Sequence, residues 1–465
     1  MLTTADSRQT RELPDPPRAL WRIVGPGIVG AGVGLSSGEF VLWPYIASQV
    51  GLVFVWGAIV GVLTQLFLNL EIERYTLATG ETALSGFNRF WRHWGLLLTI
   101  LVYFANLWPG WAMTAATLAS YLTGGSPRFI AVGLLLVIGA ALTLAPVVYV
   151  ALERLIFVKV AGVLVLVGAA LWFAIDGPTW GALVTGLTVE ARIPTELGIA
   201  LLMGAAAFAG AGGGQNLCQS NWIRDKGFGM GQYVPRLVSP VTGKEEAAPA
   251  AVSYVFPPDE INMARWRRWW RFANVEQALT FALVTIITIV LTSMLAHATL
   301  YGREGLPNDV TFLLFEGHAL QSLVGNWFGV LFWGIGALSL FGSAMGIIDY
   351  TSRLAADVLK STYFRSAAVT ESRLYFQLVW GLVIIGILII TSGYDQPLVL
   401  LVISACTGGV IMFIYSMLLI ALNRRCLPAA IGPGSARIAA LVWSAAAFGL
   451  LSVVTVWTQL VRLLS

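Results

Sequence analysis

Apolar runs about as long as a bilayer is thick recur eleven times along this chain, and that recurrence leaves few folds open. A helix needs about 20 apolar residues to cross the hydrocarbon, and it satisfies its own backbone polar groups, as lipid demands. The runs lie at 23–49, 51–71, 95–121, 129–150, 153–175, 196–219, 272–300, 323–350, 374–391, 397–422 and 437–461. Hydrophobic residues make up 57% of the chain and charged ones 11%, against about 25% charged in soluble domains. That excludes a soluble enzyme, a nucleic-acid binder and a disordered regulator. The three cysteines and three histidines are scattered, so neither a disulfide framework nor a Cys/His metal cluster is expected. The expectation is an all-α membrane protein, a monomer whose main partner is the lipid bilayer, with no nucleic acid and no cofactor.

Charge gives an orientation. If the N-terminus is cytoplasmic, 24 of the 28 Lys and Arg fall on the inner side, with Glu153, Arg154 and Lys159 read as an inner break between two spans. Only Arg128, Arg192, Arg303 and Arg462 fall outside. Such a bias predicts a cytoplasmic N-terminus and, with an odd span count, an external C-terminus. The arginine-bearing start, with no short apolar core behind it, predicts no cleaved signal peptide. A bacterial inner membrane is the expected home.

The longest connection, 220–271, holds Pro235, Pro240, Pro249, Pro257 and Pro258 and ends in Arg265-Trp-Arg-Arg-Trp-Trp-Arg271. Tryptophans interleaved with arginines predict a helix lying at the headgroups. Glu71, Glu73 and Arg74 are expected to pair at the inner end of the second span, and Asp349 with Arg353, four residues apart on the eighth.

Two runs are interrupted in matching places. The first reads Gly34-Leu-Ser-Ser-Gly-Glu39, and a carboxylate at mid-bilayer costs roughly 3 kcal/mol or more. The sixth reads Gly210-Ala-Gly-Gly-Gly-Gln-Asn216, where each glycine disfavours helix by about 1 kcal/mol against alanine. Two glycine-broken spans, each opening a set of five, predict an inverted-repeat transporter with its site between the breaks. The organisation is a tail (1–22), a first repeat (23–175), a second repeat (196–422, carrying the loop 220–271) and an added helix (437–461).

With Gly25-Pro26-Gly27 ahead of Ser36-Ser37-Gly38-Glu39, and Gly213-Gly214-Gln215-Asn216-Leu217 in the sixth run, the chain resembles the Nramp family of divalent-metal transporters. Tyr75, Thr79-Gly80-Glu81 and Leu152-Glu153-Arg154-Leu155 extend the likeness. It implies a LeuT-type 5+5 inverted repeat plus one helix, eleven in all, with broken first and sixth helices. The family's Asp-Pro-Gly-Asn aligns with Ser36 to Glu39, so the chain looks like a divergent branch. The family's metal-ligating aspartate and asparagine fall at Ser36 and Glu39, and its methionine at Gly213.

What remains is oxygen. Ser36, Ser37, Gly38, Glu39, Gly213, Gly214, Gln215 and Asn216 are the expected binding stretch. The Glu39 carboxylate, the Ser36 hydroxyl, the Gln215 and Asn216 amides and the carbonyls of Leu35 and Ala211 are the expected cation donors. Small residues would leave room for a partly hydrated ion. Such a set suits a hard divalent cation such as Mg²⁺ or Mn²⁺ as cargo. The stretch Phe104 to Pro109 holds no acid, and the family's histidine is Gln215, so the family's proton route is not expected. One alternative keeps the fold and carries a small organic solute, with or without Na⁺. Another is a non-transporting receptor. An enzyme is not expected, since no nucleophile–base pair stands within a span.

Overall fold

The structure, a computed structural model, describes residues 8–17, 26–145, 148–235, 237, 253–364, 369–393 and 396–464. Gly25, Arg18 and Arg22 of the tail, and Pro240 and Pro249 of the long loop, lie outside the described residues.

The first run is broken as its glycines and serines imply. Helix α1 (Pro26–Gly34) stops at Gly34, a wide turn follows at Gly38–Leu42, and α2 (Trp43–Val50) resumes with Pro44 in its first turn. Helix α3 (Val55–Thr79) then runs several residues beyond the expected end of the second run. After the short α4 (Ala83–Phe87), the third run is itself divided into α5 (Trp94–Asn106) and α6 (Gly110–Thr123). Pro109, which lacks an N–H and cannot continue the ladder, stands at that division. Helices α7 (Pro127–Leu144) and α8 (Val148–Phe173) follow, and then α9 (Gly177–Leu187).

The sixth run parts into α10 (Ile199–Ala207) and α11 (Gly214–Lys226). Between them Gly210, Gly212 and Gly213 take φ of 125°, 74° and 84°, values that glycine alone adopts freely. Beyond lie α12 (Glu260–Glu276), joined through one wide turn to α13 (Val284–Leu300), α14 (Phe312–Leu323) and α15 (Asn326–Val358). Helices α16 (Glu371–Thr391), α17 (Pro397–Cys426) and α18 (Ser435–Leu464) complete the chain.

Among the described residues nine helices are long and apolar enough to cross a membrane. The two expected spans absent from that set are the broken ones, whose halves are each too short to cross alone. The chain is an integral, all-α membrane protein.

The arginine–tryptophan segment departs from expectation. It is no separate surface helix: Glu260–Leu300 is one continuous helix of 41 residues. Trp266 and Trp269 are 4% and 1% exposed and turn into the protein. Trp269 donates to the Pro14 carbonyl at 2.7 Å, and the Trp270 ring lies under Arg74, 3.9 Å from the guanidinium carbon to the ring centre. Cation–π stacking thus holds Trp270 against Arg74, while Arg267, Arg268 and Arg271 stay exposed. The N-terminal tail is laced to the same helix. Strand β1 (Gln9–Thr10) pairs in parallel with β2 (Tyr254–Val255), Leu13 N–H donates to Asn262 at 2.9 Å, and Arg268 meets Asp15 at 2.7 Å.

Candidate binding site

The two breaks touch. A methyl on Gly34 would overlap the Gly210 carbonyl, and one on Gly38 the Phe208 carbonyl. Behind the second break, a methyl on Gly213 would come 2.5 Å from the Gly408 carbonyl of α17. These glycines therefore let three backbones meet. Facing main chain thus occupies the space that the small residues were expected to leave for a hydrated ion.

An unwound stretch in lipid must find partners for its backbone. In the second break one side chain supplies four of them. The Gln65 amide of α3, fully buried, donates to the carbonyls of Ala207 (2.9 Å) and Ala209 (3.0 Å) and accepts from the N–H groups of Ala211 (2.7 Å) and Gly212 (3.2 Å). In the first break the partners come from several helices. Ser339 of α15 donates to the Leu35 carbonyl at 2.6 Å, Ser343 to Val33 at 2.5 Å, and Thr292 of α13 to Glu39 at 2.5 Å.

The residues singled out by sequence lie buried at the two breaks, each with its own partners. Ser36, Ser37, Glu39, Gln215 and Asn216 are all at most 5% exposed. Glu39 turns its carboxylate back on its own break: Oε2 accepts the Ser36 N–H at 3.1 Å, and Oε1 is buried without a partner. Gln215 donates to the Gly30 carbonyl of α1, joining the two broken helices directly. Asn216 caps α11 by accepting the Gly213 N–H at 2.9 Å, and it donates to Asn69 of α3 at 2.7 Å. Gly214 packs beside Val102 and Tyr350. Of the two expected carbonyl donors, Leu35 is engaged by Ser339, while the Ala211 peptide is held through its N–H by Gln65.

Lys159, expected at the inner break between two spans, lies instead within the span Leu152–Phe173. It stands twelve positions into α8, 1% exposed, with its ammonium donating to the Gly32 carbonyl and the Ser343 hydroxyl. Its charge and that of Glu39 lie close enough to interact. The signal for it was thin. Val158 and Val160 flank it and only apolar and small residues follow for a dozen positions, yet one lysine near a span end ordinarily reaches for the interface.

Toward the tail side lies a group of buried ion pairs. Arg353 pairs with Asp349 at 3.0 Å and also with Asp225, and the Tyr375 hydroxyl donates to Asp349 at 2.7 Å. Arg224 pairs with Asp357 at 3.0 Å. Cys218 lies within the field of this cluster, among Arg353, Asp349 and Asp225. Glu71 does pair with Arg74, at 2.8 Å, but both are buried. Glu73 does not join them: it accepts from Gln219 at 3.4 Å and faces Glu276, which in turn accepts the Gly27 N–H at the start of α1 at 2.8 Å. At the opposite end α14 packs on α15 and α13. Its Glu316 lines a cavity of about 10 Å³ with Phe40, Thr292 and Phe332. Among the described residues no three His, Cys, Asp or Glu side chains gather closely enough to hold a metal.

No protein-family model matches the chain, and no curated protein sequence matches it. Solved structures do. A mutant of the Eremococcus coleocola manganese transporter superposes with a TM-score of 0.70 at 13% identity, over 98% of this chain and 90% of that one. A nucleobase-cation-symport-1 family transporter, closed with bromovinylhydantoin bound, gives 0.53 at 12% identity over 92% and 82%. MhsT in complex with L-phenylalanine gives 0.52 at 11% identity over 95% and 98%. At these identities the likeness is one of fold, and the fold is the LeuT type.

Proposed function

We propose that this chain is a secondary-active membrane transporter, a divergent relative of the Nramp carriers, working by alternating access. Its cargo binds between the two breaks, with Glu39 as the charged contact and Ser36, Ser37, Gln215 and Asn216 as neutral ones. The observation that carries this reading is the contact of two broken helices around a buried carboxylate that keeps one oxygen unpartnered. The internal bonds of Glu39 to Ser36 and of Gln215 to Gly30 are ones that cargo can replace when the helices part. Eleven spans in two inverted repeats with a cytoplasmic N-terminus complete the reading. With Lys159 moved into the membrane, 23 inner charges still face four outer ones.

The first cargo class is a hard divalent cation such as Mg²⁺ or Mn²⁺. The oxygen-only side chains and the manganese transporter's similarity in fold support it. One observation favours a second class, a small organic solute: the Lys159 ammonium near Glu39 opposes a doubly charged ion there. Mn²⁺ influx into proteoliposomes, read by an internal fluorescent chelator, tests the first. Influx by the wild type that Glu39→Gln lowers at least tenfold supports a divalent cargo. No influx, together with a thermal shift from an amine or amino acid and none from Mg²⁺ or Mn²⁺, moves the assignment to the solute.

A further inference from the structure

Four arginines gather in an open groove of about 600 Å³ where α3, α12 and the turn into α18 meet. Arg74 comes from α3, Arg267 and Arg271 from α12 and Arg437 from α18, and the lining holds no acidic side chain. The volume is within the range of small-molecule sites, about 300–1,000 Å³. Arg74 and Arg437 form the floor. Both pair with Glu71 behind them, at 2.8 and 3.3 Å, and both guanidinium carbons lie near the Trp270 ring centre, at 3.9 and 4.6 Å. That carboxylate balances one of the two positive charges. Arg267 and Arg271 form the rim. They stand one turn apart on α12, are exposed, and make no ion pair or hydrogen bond with any described residue.

The groove lies where the apolar stretches begin. After Arg437 no charge follows on α18 until Arg462, and after Arg271 Glu276 is the only carboxylate as far as Leu300. Deeper along the same helices the exposed side chains are apolar: Val275, Leu279 and Leu283 on one, Val442 and Trp443 on the other, each 44–54% exposed. A positive groove bordering exposed hydrocarbon complements a phospholipid, head in the groove and chains along the helices. We propose that this groove binds the phosphodiester headgroup of an anionic phospholipid. Arg267 and Arg271 grasp it at the rim, above the stacked arginines, since a guanidinium fork takes phosphate oxygens in pairs. The bound lipid ties α12 to the turn between α17 and α18, because residues of both line the groove.

The test needs neither cargo nor transport. Thermal unfolding of the full chain in neutral detergent is measured with added phosphatidylglycerol, phosphatidylcholine or inorganic phosphate at equal ionic strength. The wild type is expected to unfold several degrees higher with phosphatidylglycerol than with the other two. Arg267→Gln with Arg271→Gln is expected to need roughly tenfold more lipid for that rise. It is expected to match the wild type in phosphatidylcholine, because neither side chain has a partner in the protein to lose. Arg424→Gln with Arg425→Gln removes the same charge from the exposed end of α17, outside the groove, and is expected to keep the rise. No rise in the wild type overturns the proposal, and that arm needs no substitution to fold. An equal rise with inorganic phosphate also overturns it, since the groove would then take a soluble anion. So does a response that both double variants keep, or that both lose, since the attraction would then belong to the surface charge at large.

Discussion

The Gln65 side-chain oxygen accepts the Ala211 N–H at 2.7 Å, and through this bond and its neighbours one glutamine on α3 takes over the hydrogen bonds that α10 and α11 lose by separating. Replacing it with leucine keeps the bulk and strands several buried backbone groups, each at a cost of about 1–3 kcal/mol. Gln65→Leu is expected to lower the unfolding temperature sharply. Gln65→Glu, which keeps the acceptor and loses the donor, is expected to do nearly as much harm. Thermal unfolding of purified protein checks both.

Gly38 and Gly168 are both glycines inside helical runs, yet only one is pressed against another backbone. Gly38→Ala drives a methyl into the Phe208 carbonyl and is expected to prevent folding or separate the breaks. Gly168→Ala, on an exposed face of α8 with nothing within 4 Å, is expected to be neutral or to stabilise by up to about 1 kcal/mol. Expression level and unfolding temperature distinguish them.

Glu316 carries a pH dependence. It lies on α14, outside the spans, and burial alone pushes its carboxyl from 4.5 up to about 8. None of the side chains lining its cavity with it, among them Pro44, Leu291, Thr292 and Leu295, is titratable. Between these values the folded chain therefore holds a proton that the unfolded chain releases. Its stability is complete below about 4.5 and falls as pH rises through about 8. Glu316→Gln is expected to flatten that part of the stability–pH curve. Parallel curves for the two proteins would show that Glu316 does not titrate with unfolding.

Arg353 stands between Asp225 and Asp349 with 1% exposure. Removing one member of a buried ionic group costs about 3–5 kcal/mol, because the others keep their charge without compensation. Arg353→Met is expected to lose that much. Arg353→Met combined with Asp225→Asn is expected to lose less than the two single changes added together. A double-mutant cycle on unfolding free energy measures the difference.

Much of this fold is legible in the chain because lipid enforces simple rules. Runs of apolar residues mark the helices, and Glu39 among serines and glycines marks a break, since nothing else in hydrocarbon tolerates it. The contact of the two breaks follows from that pattern. What was not legible was polarity that serves the backbone. Gln65 is one amide in an otherwise ordinary span, and only the bonds it makes reveal its part. Lys159 resembled an interfacial lysine because its partners, Gly32 and Ser343, are 127 and 184 residues distant in sequence. The tryptophans of 265–271 misled for the opposite reason: their composition suits a lipid headgroup and a packed protein surface equally.

The helix Glu260–Leu300 has 41 residues and so extends about 60 Å, roughly twice the thickness of the hydrocarbon. Its protruding end is where Leu13, Pro14 and Asp15 are fastened, and farther along it Glu276 grips the start of α1 and Thr292 the carbonyl of Glu39. Such a rod ties the N-terminal ribbon and both sides of the first break to a single element.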